Sequence, residues 1–166
     1  MSKFQNNPRY KEGSKAENQF PDIYPYPLVN VESWLLDNLC ETKHPRNKDN
    51  DGKFVNDFLR AAPDYLDQLN QCVIEVKLWR DGIFQFPKSK FELYQQWDEY
   101  LLSRNYRLYL GLYIDRTGDI AMCVMREVID YIKGSKRQFK NIYFSDGNPC
   151  HDLTYSEIQK LKNDIL

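Results

Sequence analysis

The alternation of apolar and polar positions along the chain is strongest in its middle third. Cys72–Trp79 (CVIEVKLW) is rich in β-formers, and its apolar run is broken only by Glu75 and Lys77. Asp81-Gly82 is a turn signal, so Ile83–Phe86 is expected to fold back on that strand as a hairpin, closed by Pro87. From Ser89 to Leu102 the spacing of Leu93, Trp97, Tyr100 and Leu101 predicts a helix with Ser89 as its cap. Arg107–Ile114 (RLYLGLYI) reads as a second strand, apolar on both faces and therefore central. Arg116–Asp119 is a turn. Ile120–Met125 is either a returning strand or the start of a helix reaching Ile132.

The flanks are less regular. Residues 1–27 read as a flexible or extended arm, polar at first and then Pro/Tyr-rich (PDIYPYP), leaving 28–166 as one domain. A helix is expected over Val31–Glu41, capped by Asn30, followed by a polar loop at 44–53. Lys53–Arg60 is helix or strand. Asn141–Phe144 is a short strand candidate. Thr154 and Glu157 form a capping box for a last helix ending near Leu166. Strands alternating with helices give an α/β class: a mixed central sheet flanked by helices.

At 166 residues one domain with a sizeable core is the expectation. The formal net charge of −1 excludes a whole-molecule polycation, so nucleic-acid binding would need a local patch. No apolar run suits a membrane span, and the first 20 residues hold no apolar segment of the leader type. Cys40, Cys72, Cys123 and Cys150 lack paired spacing, and Cys150-His151 stands apart from other zinc-type ligands. Reduced structural thiols and a cytoplasmic location follow as expectations.

Chemistry concentrates between Pro63 and Lys77. Glu75 and Lys77 fall on one face of a strand, a costly placement unless they are paired or bind a ligand. An Asp brought beside Glu75 would make an oxygen-rich pocket suited to Mg²⁺ or Mn²⁺, with the Val76 carbonyl as a further ligand. Asp64, Asp67 and Asp57 all compete for that place. Lys133, Lys136, Arg137 and Lys140 form a basic cluster, a candidate for phosphate contacts. Residues 61–75 carry three acids and no base, whereas 76–140 carry 12 basic against 8 acidic residues. Acids for a metal beside cations for a backbone is the pattern a metal-dependent nuclease needs.

The order Pro63-Asp64, ten residues, Glu75-Val76-Lys77 in a strand, then Gln96-Trp-Asp-Glu-Tyr100 in a helix resembles the PD-(D/E)XK nuclease superfamily, and the helix motif is similar to that of its RecB-like branch. The resemblance covers about Val31 to Ile114. It implies a restriction-endonuclease-like core and Mg²⁺-dependent hydrolysis of phosphodiester bonds, most readily in DNA. It further implies Asp64, Glu75, Lys77, Gln96 and Tyr100 as catalytic residues, Asp64, Glu75 and Val76 as metal ligands, and Gln96 and Tyr100 facing the Glu75 cleft. Glu32 or Glu41 stands where such nucleases place an auxiliary acid. A symmetric homodimer would cut both strands of a duplex. The alternative is a non-catalytic interaction factor (an inhibitor, immunity or assembly protein), its aromatic surface binding another protein.

Overall fold

A computed structural model of the chain describes residues 8–31, 33–34, 61–80, 82–135 and 149–162, with side chains from residue 14 onward. Its elements run in the order α1 (Pro8–Ile23), β1 (Val29–Asn30), β2 (Tyr65–Asp67), β3 (Cys72–Trp79), β4 (Ile83–Pro87), α2 (Lys88–Leu102), β5 (Arg107–Ile114), β6 (Asp119–Val124), α3 (Met125–Gly134), β7 (Cys150–Thr154) and α4 (Tyr155–Leu161). Five strands make one mixed sheet in the order β1-β2-β3-β5-β6. The β3–β5 pair is parallel and the other neighbours are antiparallel. Helices lie against the sheet, so the α/β class with a mixed, helix-flanked sheet holds.

Period-two alternation divides the sheet into two apolar layers. Cys72, Ile74 and Val76 of β3 face one way, with Tyr109, Tyr113, Ile120 and Met122. Val73 and Trp79 face the other way, among residues of α2, α3, β4, β7 and α4. Glu75 and Lys77 share this second face. Burial pushes the Cys72 thiol up to about 11 and that of Cys123 to about 12, which suits inert packing.

The first layer is covered by α1, and here the expectation of an N-terminal arm over 1–27 is corrected. Residues 8–23 are helical, and Ala16, Phe20 and Tyr24 are buried against the sheet. These residues recur every four positions, a stripe one side chain wide. Polar neighbours dilute it until a tertiary partner reveals it. The partner includes Gly111 of β5, where an added Cβ would lie 2.8 Å from Phe20 Cε2 and 2.9 Å from Ile74 Cγ2. Only hydrogen there lets the helix seat so closely.

A second correction concerns Ile83–Phe86. The turn at Gly82 forms, with φ +73°, and Arg80 bridges to Ile83. Beyond that bridge β4 leaves the main sheet and pairs antiparallel with β7, from Ile83↔Thr154 to Pro87↔Cys150. Phe84 and Phe86 thereby join Leu153, Tyr94 and Trp97 in the core on the α2 face of the sheet. The helix after β4 is capped by Pro87 without a side-chain bond, so Ser89 is not its cap. The buried positions of that helix are Tyr94, Trp97, Asp98 and Leu101. After the turn, Asp119–Val124 is a strand and Met125–Gly134 a helix, so both readings of this stretch occur in succession.

Asn30 accepts from the Ser33 amide at 3.0 Å, the expected cap, and the Thr154–Glu157 capping box is present. The expectations for Glu32 and for residues 35–60, 136–144 and 163–166 lie outside the described residues.

Candidate functional site

The short strand β2 creates the site. It pairs with β3 only as far as Tyr65↔Ile74, with one further backbone bond from the Asp64 amide to the Ile74 carbonyl at 3.0 Å. Antiparallel pairing turns the backbone groups of Ile74 and Val76 toward β2. With β2 ended, the N–H and C=O of Val76 face no further strand among the described residues. Asp64, the residue just before β2, fills half of that gap: its Oδ2 accepts from the Val76 amide at 2.7 Å. The Val76 carbonyl accepts from Lys77 Nζ at 2.9 Å.

Glu75 completes the group from the α2 face. Its side chain is 5% exposed, and its Oε1 accepts from Tyr94 Oη at 2.5 Å and from Lys77 Nζ. Two carboxylates, a backbone carbonyl, an ammonium and a phenol thus surround one peptide unit of β3. A buried carboxylate is tolerable when charge and hydrogen bonds compensate it, and Lys77 and Tyr94 do so.

The electrostatics follow from this crowding. Burial, and then the negative charge of Glu75, push the Asp64 carboxyl up to about 7. Burial alone would lower the Lys77 ammonium, but the charges of Glu75 and Asp64 outweigh it, and Lys77 is held well above the ordinary lysine value. Lys77 therefore acts as a cation rather than as a base at neutral pH. Burial, followed by the Glu75 charge, raises Tyr94 well above an ordinary phenol and keeps it a donor.

Of the sequence-predicted residues, Asp64, Glu75, Val76 and Lys77 come together. Asp67 does not join them. It accepts from Tyr24 Oη at 2.8 Å, from the amides of Leu69 and Asn70, and from Asn70 Nδ2, which makes it the anchor of the β2–β3 turn. Asp57 lies outside the described residues.

Gln96 and Tyr100 do not face the Glu75 cleft. Helix α2 presents Tyr94 there instead, and at about 100° per residue Gln96 is turned some 200° away. Gln96 is exposed. Tyr100 packs edge-on to Trp97 and lies under the Arg104 guanidinium, 3.8 Å from its ring centre. Tyr94 is the site residue that sequence reasoning missed. Its signal was there, as the hydroxyl-bearing first member of the Tyr94, Trp97, Leu101 stripe. Lys133 ends α3, exposed, in a cleft lined also by Asp98, Glu99, Arg126 and Asp130.

The donor set of Asp64, Glu75 and the Val76 carbonyl is all oxygen, the chemistry that suits a hard cation. Among the described residues, no three or more His, Cys, Asp or Glu side chains converge as a ready metal centre. A bound cation would therefore need the carbonyl and solvent as further ligands. No helix of the described residues is long and apolar enough to cross a membrane.

Fold and site define an α/β protein with a carboxylate–lysine cluster on β3 of its mixed sheet, where β2 ends. No protein-family model and no curated protein matches the chain.

Proposed function

We propose that this protein is a metal-dependent nuclease that hydrolyses phosphodiester bonds, most readily in DNA, on a restriction-endonuclease-like core. The observation that carries the reading is the meeting of Asp64, Glu75 and Lys77 around the single backbone unit of Val76. These residues are 11 and 13 positions apart from Asp64 in sequence, and an incidental surface ion pair would have no reason to recruit the third member.

In this reading Asp64, Glu75 and the Val76 carbonyl hold Mg²⁺ or Mn²⁺. The chemistry such an ion supplies is activation of a water and stabilisation of charge developing on the phosphoryl oxygens. Tyr94 fixes the rotamer of Glu75 through its 2.5 Å hydrogen bond. Lys77 now bonds two of the would-be metal ligands, Glu75 and the Val76 carbonyl. With those oxygens engaged by a cation, the Lys77 ammonium would be free to turn to the attacking water or a phosphate oxygen, where its compact charge is worth most as the transition state forms. The water oxygen would bond to phosphorus and give up a proton to solvent, the bond to the leaving sugar oxygen would break, and that oxygen would take up a proton from solvent.

The test is cleavage of plasmid and of single-stranded circular DNA in Mg²⁺, Mn²⁺ or EDTA, with Mn²⁺ calorimetry alongside. Wild type should cut only with metal. Glu75→Gln should lose both cleavage and the heat of Mn²⁺ binding. Lys77→Ala should lose at least about a hundredfold in rate while binding Mn²⁺ as well as or better than wild type, because the competing ammonium is gone. Metal-independent cutting, or equal rates for folded wild type and Lys77→Ala, would remove the proposal. No cutting by wild type on any substrate would favour the interaction-factor reading.

A further inference from the structure

On the same face of β3, beyond Glu75 and Lys77, lies Trp79, and at that end of the sheet is a cleft of about 760 Å³. Trp79, Ile114, Arg80, Arg116, Thr117 and Tyr155 line it. Its position is that of ligand sites in open α/β sheets, outside the carboxyl ends of the parallel strands β3 and β5. The volume falls in the range of small-ligand sites.

The chemistry of the wall is specific. Tyr155 stacks on Trp79 with ring centres 5.3 Å apart and planes 27° apart, yet Tyr155 remains 57% exposed. Its outer ring face is available to another flat group. Trp79 is nearly fully buried beneath that ring, and its indole Nε1, itself buried, has no hydrogen-bond partner among the described residues. Arg116 is exposed on the turn between β5 and β6. Asp115 beside it is engaged by Lys15 at 2.8 Å and approached by Arg80 at 3.8 Å. Among the described residues that line the cleft, Arg80 and Arg116 stand beside one carboxylate, Asp115. An exposed aromatic platform beside the exposed Arg116 suits a flat base attached to a phosphate.

We infer that this cleft holds unpaired nucleotides of the strand whose backbone enters the Glu75 site, so that the substrate is single-stranded or carries a single-stranded branch. The inference rests on the nuclease reading for its connection to cutting. Trp79 lies four residues beyond Glu75, about 13 Å along the strand, a distance that a short run of unpaired nucleotides spans. Stacking on Tyr155 requires a base with a free face, and a paired base inside a duplex has none to offer. Arg116 and Arg80 would meet the phosphates between.

The experiment measures binding of a fluorescent 12-nucleotide single strand and of the blunt duplex of the same sequence by anisotropy, in EDTA to prevent cutting. Wild type, Tyr155→Ala, Arg116→Ala and Glu75→Gln are compared, with melting curves to establish that each is folded. Wild type should prefer the single strand. Tyr155→Ala should weaken that binding about tenfold or more. Arg116→Ala should flatten the slope of log K against log salt by about 0.7, one phosphate's share. Glu75→Gln, which removes a negative charge beside the strand's path and releases Lys77 from its ion pair, should bind the single strand at least as tightly as wild type. Duplex preferred over single strand, or Tyr155→Ala and Arg116→Ala indistinguishable from wild type, would overturn the inference. The same proteins assayed with Mg²⁺ separate the two readings. Binding lost in the cleft variants without any cutting by wild type would leave the cleft standing and remove the nuclease. Cutting by wild type with full binding in the cleft variants would do the reverse.

Discussion

The Asp64 carboxyl carries a testable conflict between stability and function. In the unfolded chain it titrates near about 3.9; in the folded protein burial and Glu75 raise it to about 7. Between those values the folded state holds a proton that the unfolded state lacks, so stability falls as pH rises through this window and levels off above it. Asp64→Asn keeps an acceptor for the Val76 amide but cannot carry the charge. It should match wild type in stability near pH 4 and exceed it by on the order of 1 kcal/mol or more at pH 8 without metal, while losing Mn²⁺ binding. Urea midpoints at pH 4, 6 and 8 in EDTA decide it; parallel pH profiles for the two proteins would contradict the raised value. The three charged residues were legible in the sequence because their chemistry is local: Glu75 and Lys77 share a strand face by spacing alone, and Pro63-Asp64 precedes them. Tyr94 was not, because its role depends on how far α2 rotates when it docks. Sequence favoured Gln96 and Tyr100 by motif, but packing of Trp97 and Leu101 sets that rotation.

At the scale of elements, the site depends on how firmly α1 holds the opposite face of the sheet. Gly111 is the register partner of Val76, the residue around which Asp64, Glu75 and Lys77 gather. Phe20 of α1 sits on Gly111 and Ile74. Gly111→Ala would force the ring or the strand aside, and we expect a loss of about 1–3 kcal/mol. Phe20→Ala should cost about 3–5 kcal/mol through the cavity it leaves. If α1 were a loose arm, both changes would stay within about 0.5 kcal/mol, so denaturation midpoints of the two variants discriminate cleanly. Strands β3 and β5 were readable because parallel, doubly covered strands are apolar on both faces. Helix α1 was not, since one buried residue per turn is a weak signal among polar neighbours. The exit of β4 was likewise invisible, because its partner β7 is distant in sequence and no local pattern announces the pairing.

For the whole molecule, a net charge of −1 means that long-range attraction cannot bring nucleic acid to the surface indiscriminately. On the nuclease reading, affinity would have to come from a few cations placed along one path. Arg80 and Arg116 at the β3–β5 end, with Lys77 at the site, suggest about three phosphates. Lys133, at the far end of α3, shares its cleft with three carboxylates, Asp98, Glu99 and Asp130, and one further cation, Arg126. Its local field is therefore no better than neutral toward a phosphate. For a single strand the slope of log K against log salt should then lie near −2, at about −0.7 per contact. Raising salt from 50 to 200 mM should weaken binding on the order of tenfold to thirtyfold, and Lys133→Ala should leave the slope unchanged. If Lys133 with Lys136, Arg137 and Lys140 forms part of the path, four more contacts would steepen the slope to near −5, and neutralising all four would restore −2. A salt titration of wild type and the quadruple variant thus decides whether the path ends at the Tyr155 cleft, with a slope near −2, or extends as well to the basic cluster that begins at Lys133, with a slope near −5.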